Sequence, residues 1–78
     1  MARKELNQFE AVSAVVPGEG GYDAAIAVKA LSAGGAPVFH RVLPGQKFKT
    51  AHDADVAAAQ ELARLIDIDD EGNLLFPA

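Results

Sequence analysis

The sequence predicts an α+β domain: a three-stranded antiparallel sheet in the order β-β-β-α, with one amphipathic C-terminal helix packed on one face and a short fourth strand left open near the end. Three observations predict it. Apolar and polar residues alternate with a period of two from Tyr22 to Lys29, which is strand spacing. Clusters of Gly and Pro at 17–21 and 32–37 divide the first half of the chain into short extended pieces. After Thr50 comes a long segment rich in Ala and Leu with helical spacing. Strands followed by a helix, instead of alternating with helices, indicate a sheet covered on one side. With 78 residues the chain has material for one small core.

Taken in order, residues 1–8 read as a loose tail, and Phe9 to Val16 (FEAVSAVV) as a first strand, short and rich in Val. Pro17-Gly-Glu-Gly-Gly21 supplies a fixed proline φ and several positive-φ positions, and reads as a loop. In the second strand, Tyr22 to Leu31, the even positions Tyr22, Ala24, Ile26 and Val28 oppose Asp23, Ala25, Ala27 and Lys29, with the charges on one side. Ser32 to Pro37 makes a hairpin-type connection with Gly34-Gly35 as its tight turn. The third strand, Val38 to Leu43, is apolar on both faces. Either it is central with its second face partly covered, or Phe39 and Leu43 form an exposed apolar stripe, which on a monomer marks a partner.

Pro44-Gly45-Gln46 turns the chain, Phe48 is placed to plug the core, and Thr50 stands where a helix N-cap belongs. Asp53 completes a capping-box variant and, with Asp55, suits the positive end of the helix dipole. The helix is expected to run to about Ile66 and to bury Val56, Ala59, Leu62, Ala63, Leu65 and Ile66. Asp69 to Asn73 is a turn, and Leu74-Leu75-Phe76 is either a short last strand or an apolar clasp.

Composition narrows the function classes. Sixteen of the 39 hydrophobic residues are Ala, so the core is thin and leaves little stability for strained catalytic geometry. The absence of Cys removes disulfides, thiolate metal sites and thiol redox chemistry. The N-terminus has no apolar signal-like stretch, and no run approaches the ~20 residues that span a bilayer, so a cytoplasmic protein away from membranes is expected. The net charge of −4 is unevenly spread: residues 1–52 hold six Lys/Arg against four Asp/Glu (+2), and residues 53–78 hold one Arg against seven Asp/Glu (−6). That layout speaks to partners, not to fold.

Four constellations carry candidate chemistry. Asp67, Asp69, Glu71, Gly72 and Leu74 occupy relative positions 1, 3, 5, 6 and 8 of a calcium loop. Position 12, however, is Ala78 in place of the bidentate Glu, so the run reads as a solvated acidic turn. Lys49-Thr50 before the helix has the ending of a phosphate loop, but Phe48 and Leu43 stand where its glycines are needed. His40 and His52, with no Cys to complete a zinc set, read as a sheet residue and a first-turn residue. Ser13 and Ser32 lack the setting of an activated nucleophile. What remains is a basic surface of Lys29, Arg41, Lys47 and Lys49 with Phe39 and Phe48 interleaved, the combination by which sheets bind single strands.

From Tyr22 to Ile66, the order of two strands, a turn and a helix carrying Ala57-Ala58-Ala59 resembles the C-terminal half of double-stranded-RNA-binding domains. That resemblance implies a helix packed on an antiparallel sheet and contact with RNA. The family's first helix has no counterpart in this reading, and its lysine-rich helix entry is replaced by Thr50-Ala-His-Asp-Ala-Asp55. The Ala-rich style, with PVFHRVLPGQKFKT before the helix, also resembles small proteobacterial proteins of the kind encoded in Burkholderia.

The expectation is a small bacterial domain without enzymatic activity or cofactor that binds another protein or itself through Phe39, Arg41 and Leu43. The alternative is a nucleic-acid-binding module using Lys29, Arg41, Lys47 and Lys49.

Overall fold

The computed structural model describes residues 2–32 and 34–77. Met1 of the expected tail, Ala33 of the expected hairpin connection and Ala78 at the twelfth calcium-loop position lie outside the described residues. Its elements are β1 (Arg3–Leu6), β2 (Phe9–Gly18), β3 (Gly21–Ala30), β4 (Val38–Arg41), α1 (Ala51–Arg64), β5 (Asp67–Ile68) and β6 (Leu74–Leu75). The first four form one antiparallel sheet in the order β1-β2-β3-β4, and β5 and β6 form a separate two-stranded ladder. This is the α+β plan expected, one strand larger, with α1 lying across β2 and β3.

The extra strand comes from the expected tail. Arg3–Leu6 pairs with Phe9–Val12 through a two-residue turn in which Asn7 and Gln8 both have positive φ, 48° and 64°. Such a primed turn matches the right-handed twist of a hairpin. Gln is an unusual residue for it, which is why the segment did not read as a hairpin.

The expected loop at 17–21 shrinks to Glu19-Gly20, because β2 continues through Pro17 and Gly18 and pairs with Gly21. The Leu31 N–H donates to Gln8 O at 3.0 Å, and the alternation of an antiparallel ladder then turns the Pro17 nitrogen away from β3. On that side β1 reaches only as far as Val12, so the missing N–H breaks no ladder bond. Gly21 is required where it is: at φ 135°, an added Cβ would lie 2.4 Å from Phe48 O. That carbonyl accepts from the Tyr22 N–H at 2.9 Å, joining the segment before α1 to the start of β3.

Thr50 caps α1 as expected, its hydroxyl accepting from the Asp53 N–H at 3.1 Å. The helix ends at Arg64, and the expected buried face is corrected. Ala54, Ala58 and Leu62 are the buried positions on α1, continued by Leu65, while Val56 is 42% exposed and Ile66 58% exposed. The stripe nearest the sheet is alanine because a single Cβ lets the helix backbone approach the strands closely. Val56 lies two residues, or about 200°, round the helix from Ala54 and so points to solvent. Ile66 follows the helix, where its N–H donates to Leu75 O at 2.9 Å. The core joins Ala58, Leu62 and Leu65 to Ala11, Ala24, Ile26, Val28, Val42 and Ile68, with Phe9, Phe48, Leu74 and Phe76 half-buried at its margin. Leu74-Leu75 thus forms a strand, but it pairs with Asp67–Ile68 and not with the main sheet.

Polar contacts from Lys4 and Ser13 bind the sheet to the helix. The Lys4 ammonium on β1 donates to Leu62 O at 3.1 Å, Ala63 O at 3.4 Å and Leu65 O at 2.7 Å. These include carbonyls that the last helical turn leaves without intrahelical partners, and the positive charge suits the negative end of the dipole. Ser13, the one buried polar side chain among the described residues, donates to Asp55 Oδ1 at 2.8 Å and accepts from the Ala2 N–H at 3.0 Å.

Candidate interaction surface

A sheet covered by one helix has a second face, and strand alternation fixes which side chains it carries. On β3, Ala24, Ile26 and Val28 point to the helix, so Asp23, Ala25, Ala27 and Lys29 point away. The register extends this face across the sheet in four rows: Glu5, Glu10 and Lys29; Arg3, Val12, Ala27 and Phe39; Ala14, Ala25 and Arg41; and Val16 with Asp23. The middle of the face is apolar and both ends carry charge. Phe39 rises from this surface, 54% exposed, between two open depressions. One is lined by Val15, Val16, Pro17, Phe39 and Arg41, and the other includes Val12, Ala14, Ala27, Lys29 and Phe39.

The structure places the expected interaction residues unequally. Phe39 and Arg41 alternate with the helix-facing His40 and lie on the open face. Leu43 is beyond the end of β4, in a left-handed turn at φ 53° whose carbonyl accepts from the Gln46 N–H at 3.1 Å. Phe39 and Leu43 therefore do not make a stripe along one strand. The apolar neighbours of Phe39 lie across the sheet instead, on β2 and β3. The signal for them was present: Glu10, Val12, Ala14 and Val16 form the second face of a first strand that is apolar on both sides, and one helix covers only one side.

The basic quartet is dispersed. Lys29 and Arg41 share the open face, separated by the row containing Phe39. Asp23 accepts from the Lys47 ammonium at 3.1 Å and is paired with Arg41 at 3.5 Å, so two of the four cations converge on one carboxylate. Lys49 is exposed in the segment leading to Thr50. On the same face Glu10 is bound by Arg3. Arg3, Lys29 and Arg41, with Lys47 at the rim, stand against Glu5, Glu10 and Asp23, so the open face mixes both signs while the chain carries −4.

The acidic run is folded on itself. Asp69 accepts from the Glu71 N–H at 3.0 Å and the Asn73 N–H at 2.8 Å, and Asp67 from the Ile68 N–H at 2.8 Å. The hydrogen bond from the Asn73 backbone, with smaller help from the Asn73 side chain and the Glu71 and Gly72 amides, lowers the Asp69 pKa below its ordinary value. Among the described residues no group of three or more His, Asp or Glu is arranged to hold a metal ion, and no helix is long and apolar enough to cross a membrane. His40 sits on β4 and His52 in the first turn of α1.

The outer edge of β4 is a second open feature. The Val42 N–H donates to Ala24 O at 3.0 Å, so alternation leaves only the Phe39 and Arg41 peptide groups of β4 facing outward. Pro37 and Pro44 bracket that edge. An edge this short and proline-flanked discourages strand addition, which leaves the face as the larger surface. Compared with known proteins, the chain matches no family model, no curated protein and no solved structure.

Proposed function

We propose that this chain is a small non-catalytic protein-interaction module that works through the sheet face opposite α1. The observation that carries the proposal is the surface formed by Phe39, 54% exposed, and the half-buried Val12, Ala14 and Val16 around the buried Ala25 and Ala27, on the side of the sheet away from α1. An apolar surface of this kind, rimmed by charges, is what protein partners cover. Absence of catalysis is part of the proposal. The Ser13 hydroxyl, 1% exposed and tied to Asp55 and the Ala2 amide, has no path to a substrate. A bacterial cytoplasmic setting belongs to the same proposal and rests on the Cys-free composition and the Burkholderia-type resemblance. Nucleic-acid contact through Lys29, Arg41, Lys47 and Lys49 has less support, because Asp23 holds Arg41 and Lys47.

Photo-crosslinking in living cells tests the proposal. A benzophenone amino acid replacing Phe39 should give a discrete protein adduct, and the same group replacing Gln60, exposed on α1, should give none. Absence of an adduct both at Phe39 and at the neighbouring exposed Lys29 refutes the interaction reading.

A further inference from the structure

The geometry points to a second copy of this chain as the occupant of the open face, an inference that rests on the interaction reading above. Charge is the first argument. Four cations, with Lys47 reaching in at the rim, and three anions share the face on a chain carrying −4, so a strongly acidic or strongly basic partner finds no complement there. A surface that carries both signs can complement itself under two-fold rotation.

The four rows show how. A two-fold axis in the plane of the interface, running across the strands, exchanges the first row with the fourth and the second with the third. Phe39 of one copy then lies over Arg41 of the other, a cation–π arrangement. Val12 meets Ala14 over the buried Ala25 and Ala27, Glu10, held by Arg3, lies over Val16, and Lys29 meets the Asp23 carboxylate, which supplements its Lys47 contact as Arg41 turns to the ring. Each contact occurs twice. The alanines at the centre let the two sheets approach to the ~10 Å of aligned sheet packing, with strands about 30° apart. The helices end up outside, in a four-layer α/β/β/α assembly.

Area is the second argument. Strands β2 and β3 have ten residues each, and β1 and β4 have four. At ~3.3 Å per residue and ~4.8 Å between strands, the face covers about 450 Å² in plan per copy, so the pair buries about 900 Å² before side-chain relief is added. Relief brings this near the ~1,200 Å² lower limit of stable interfaces, a weak dimer with Kd on the order of micromolar.

Sedimentation equilibrium on the full chain from about 1 µM to 1 mM tests this. Its mass should rise with concentration from 8.1 kDa toward twice that value. Phe39→Glu should hold it at the monomer, and Lys29→Glu, which sets like charges against Asp23, should weaken association about tenfold. Both residues are exposed, and unchanged far-UV circular dichroism verifies that both variants fold. A wild type that stays monomeric at 1 mM overturns the second copy as occupant, and so does a dimer that neither substitution affects. If the wild type is monomeric while the Phe39 photo-adduct forms with a different protein, the interaction reading stands without the dimer. If the adduct is absent as well, both fall.

Discussion

Replacing Leu62 with Ala tests the packing of α1 on the sheet. Leu62 is 2% exposed in a cluster that includes Ala11, Ala24, Ala58, Ile26 and Leu65. Three carbon atoms are removed, worth about 2.4 kcal/mol of transfer free energy at ~0.8 kcal/mol each. A cavity term adds to this and depends on whether neighbours can collapse into the space. Here several neighbours are alanines, which have no rotamers to swing inward and are carried on hydrogen-bonded strands or on the helix itself. The loss should therefore fall in the range of about 3–4 kcal/mol. A domain of this length has roughly 4–12 kcal/mol in total, so at the low end of that range about a sixth to a half of the variant should be unfolded. Urea denaturation followed by circular dichroism should show a lower midpoint at an unchanged slope. Val56→Ala, on the solvent side of the same helix, should cost about 0.5 kcal/mol or less. A Leu62→Ala cost below about 1 kcal/mol, or a Val56→Ala cost equal to it, would contradict the alanine-stripe packing.

Two further outcomes are expected. Lys4→Met keeps most of the aliphatic stem but removes the ammonium that holds the Leu62, Ala63 and Leu65 carbonyls. It should cost about 1–2 kcal/mol and speed amide exchange in the last turn of α1, with Arg at position 4 restoring part of the loss; unchanged exchange there would mean that the helix end does not depend on β1. Asp69 has its folded pKa lowered, so the stabilisation it gives the β5–β6 turn is present above the ordinary carboxylate pKa of 3.8 and is lost as pH falls through the lower folded value. The Glu71 and Asn73 amide resonances should follow that acid transition and lose it in Asp69→Asn; a midpoint at or above 3.8 would contradict the hydrogen bonds as its cause.

Much of the architecture was legible because local chemistry and global fold agree in the middle of the chain. The period-two alternation of Tyr22 to Lys29 became β3 with its charges on one side, and Thr50 became the cap it resembles. The errors lie where a tertiary partner outweighs local preference. Residues 3–6 look like a polar tail because their charges are useful only in three dimensions: Lys4 reaches a helix end 58 to 61 residues away, and Arg3 reaches Glu10. The helix face was misread because side-chain size was weighted over proximity; Val56 looks more like core than Ala54 or Ala58, yet close packing on a sheet selects the smaller residue. Within the candidate site, Phe39 and Arg41 were legible from alternation. The second face of β2 was readable too, but its placing beside Phe39 was not, since that depends on strand register across the sheet, and neither was the displacement of Leu43 by the turn at 43–45.

The grip of Lys4 on the far end of α1 also sets the order in which the chain can mature. Lys4 leaves the ribosome first, and Leu65, its closest acceptor, follows 61 residues later. At a synthesis rate of ~5–20 residues per second, β1 waits about 3–12 s for the group it must hold. During that interval β1 and β2 have no helix to pack against, and the contact, once made, closes a loop spanning 61 residues.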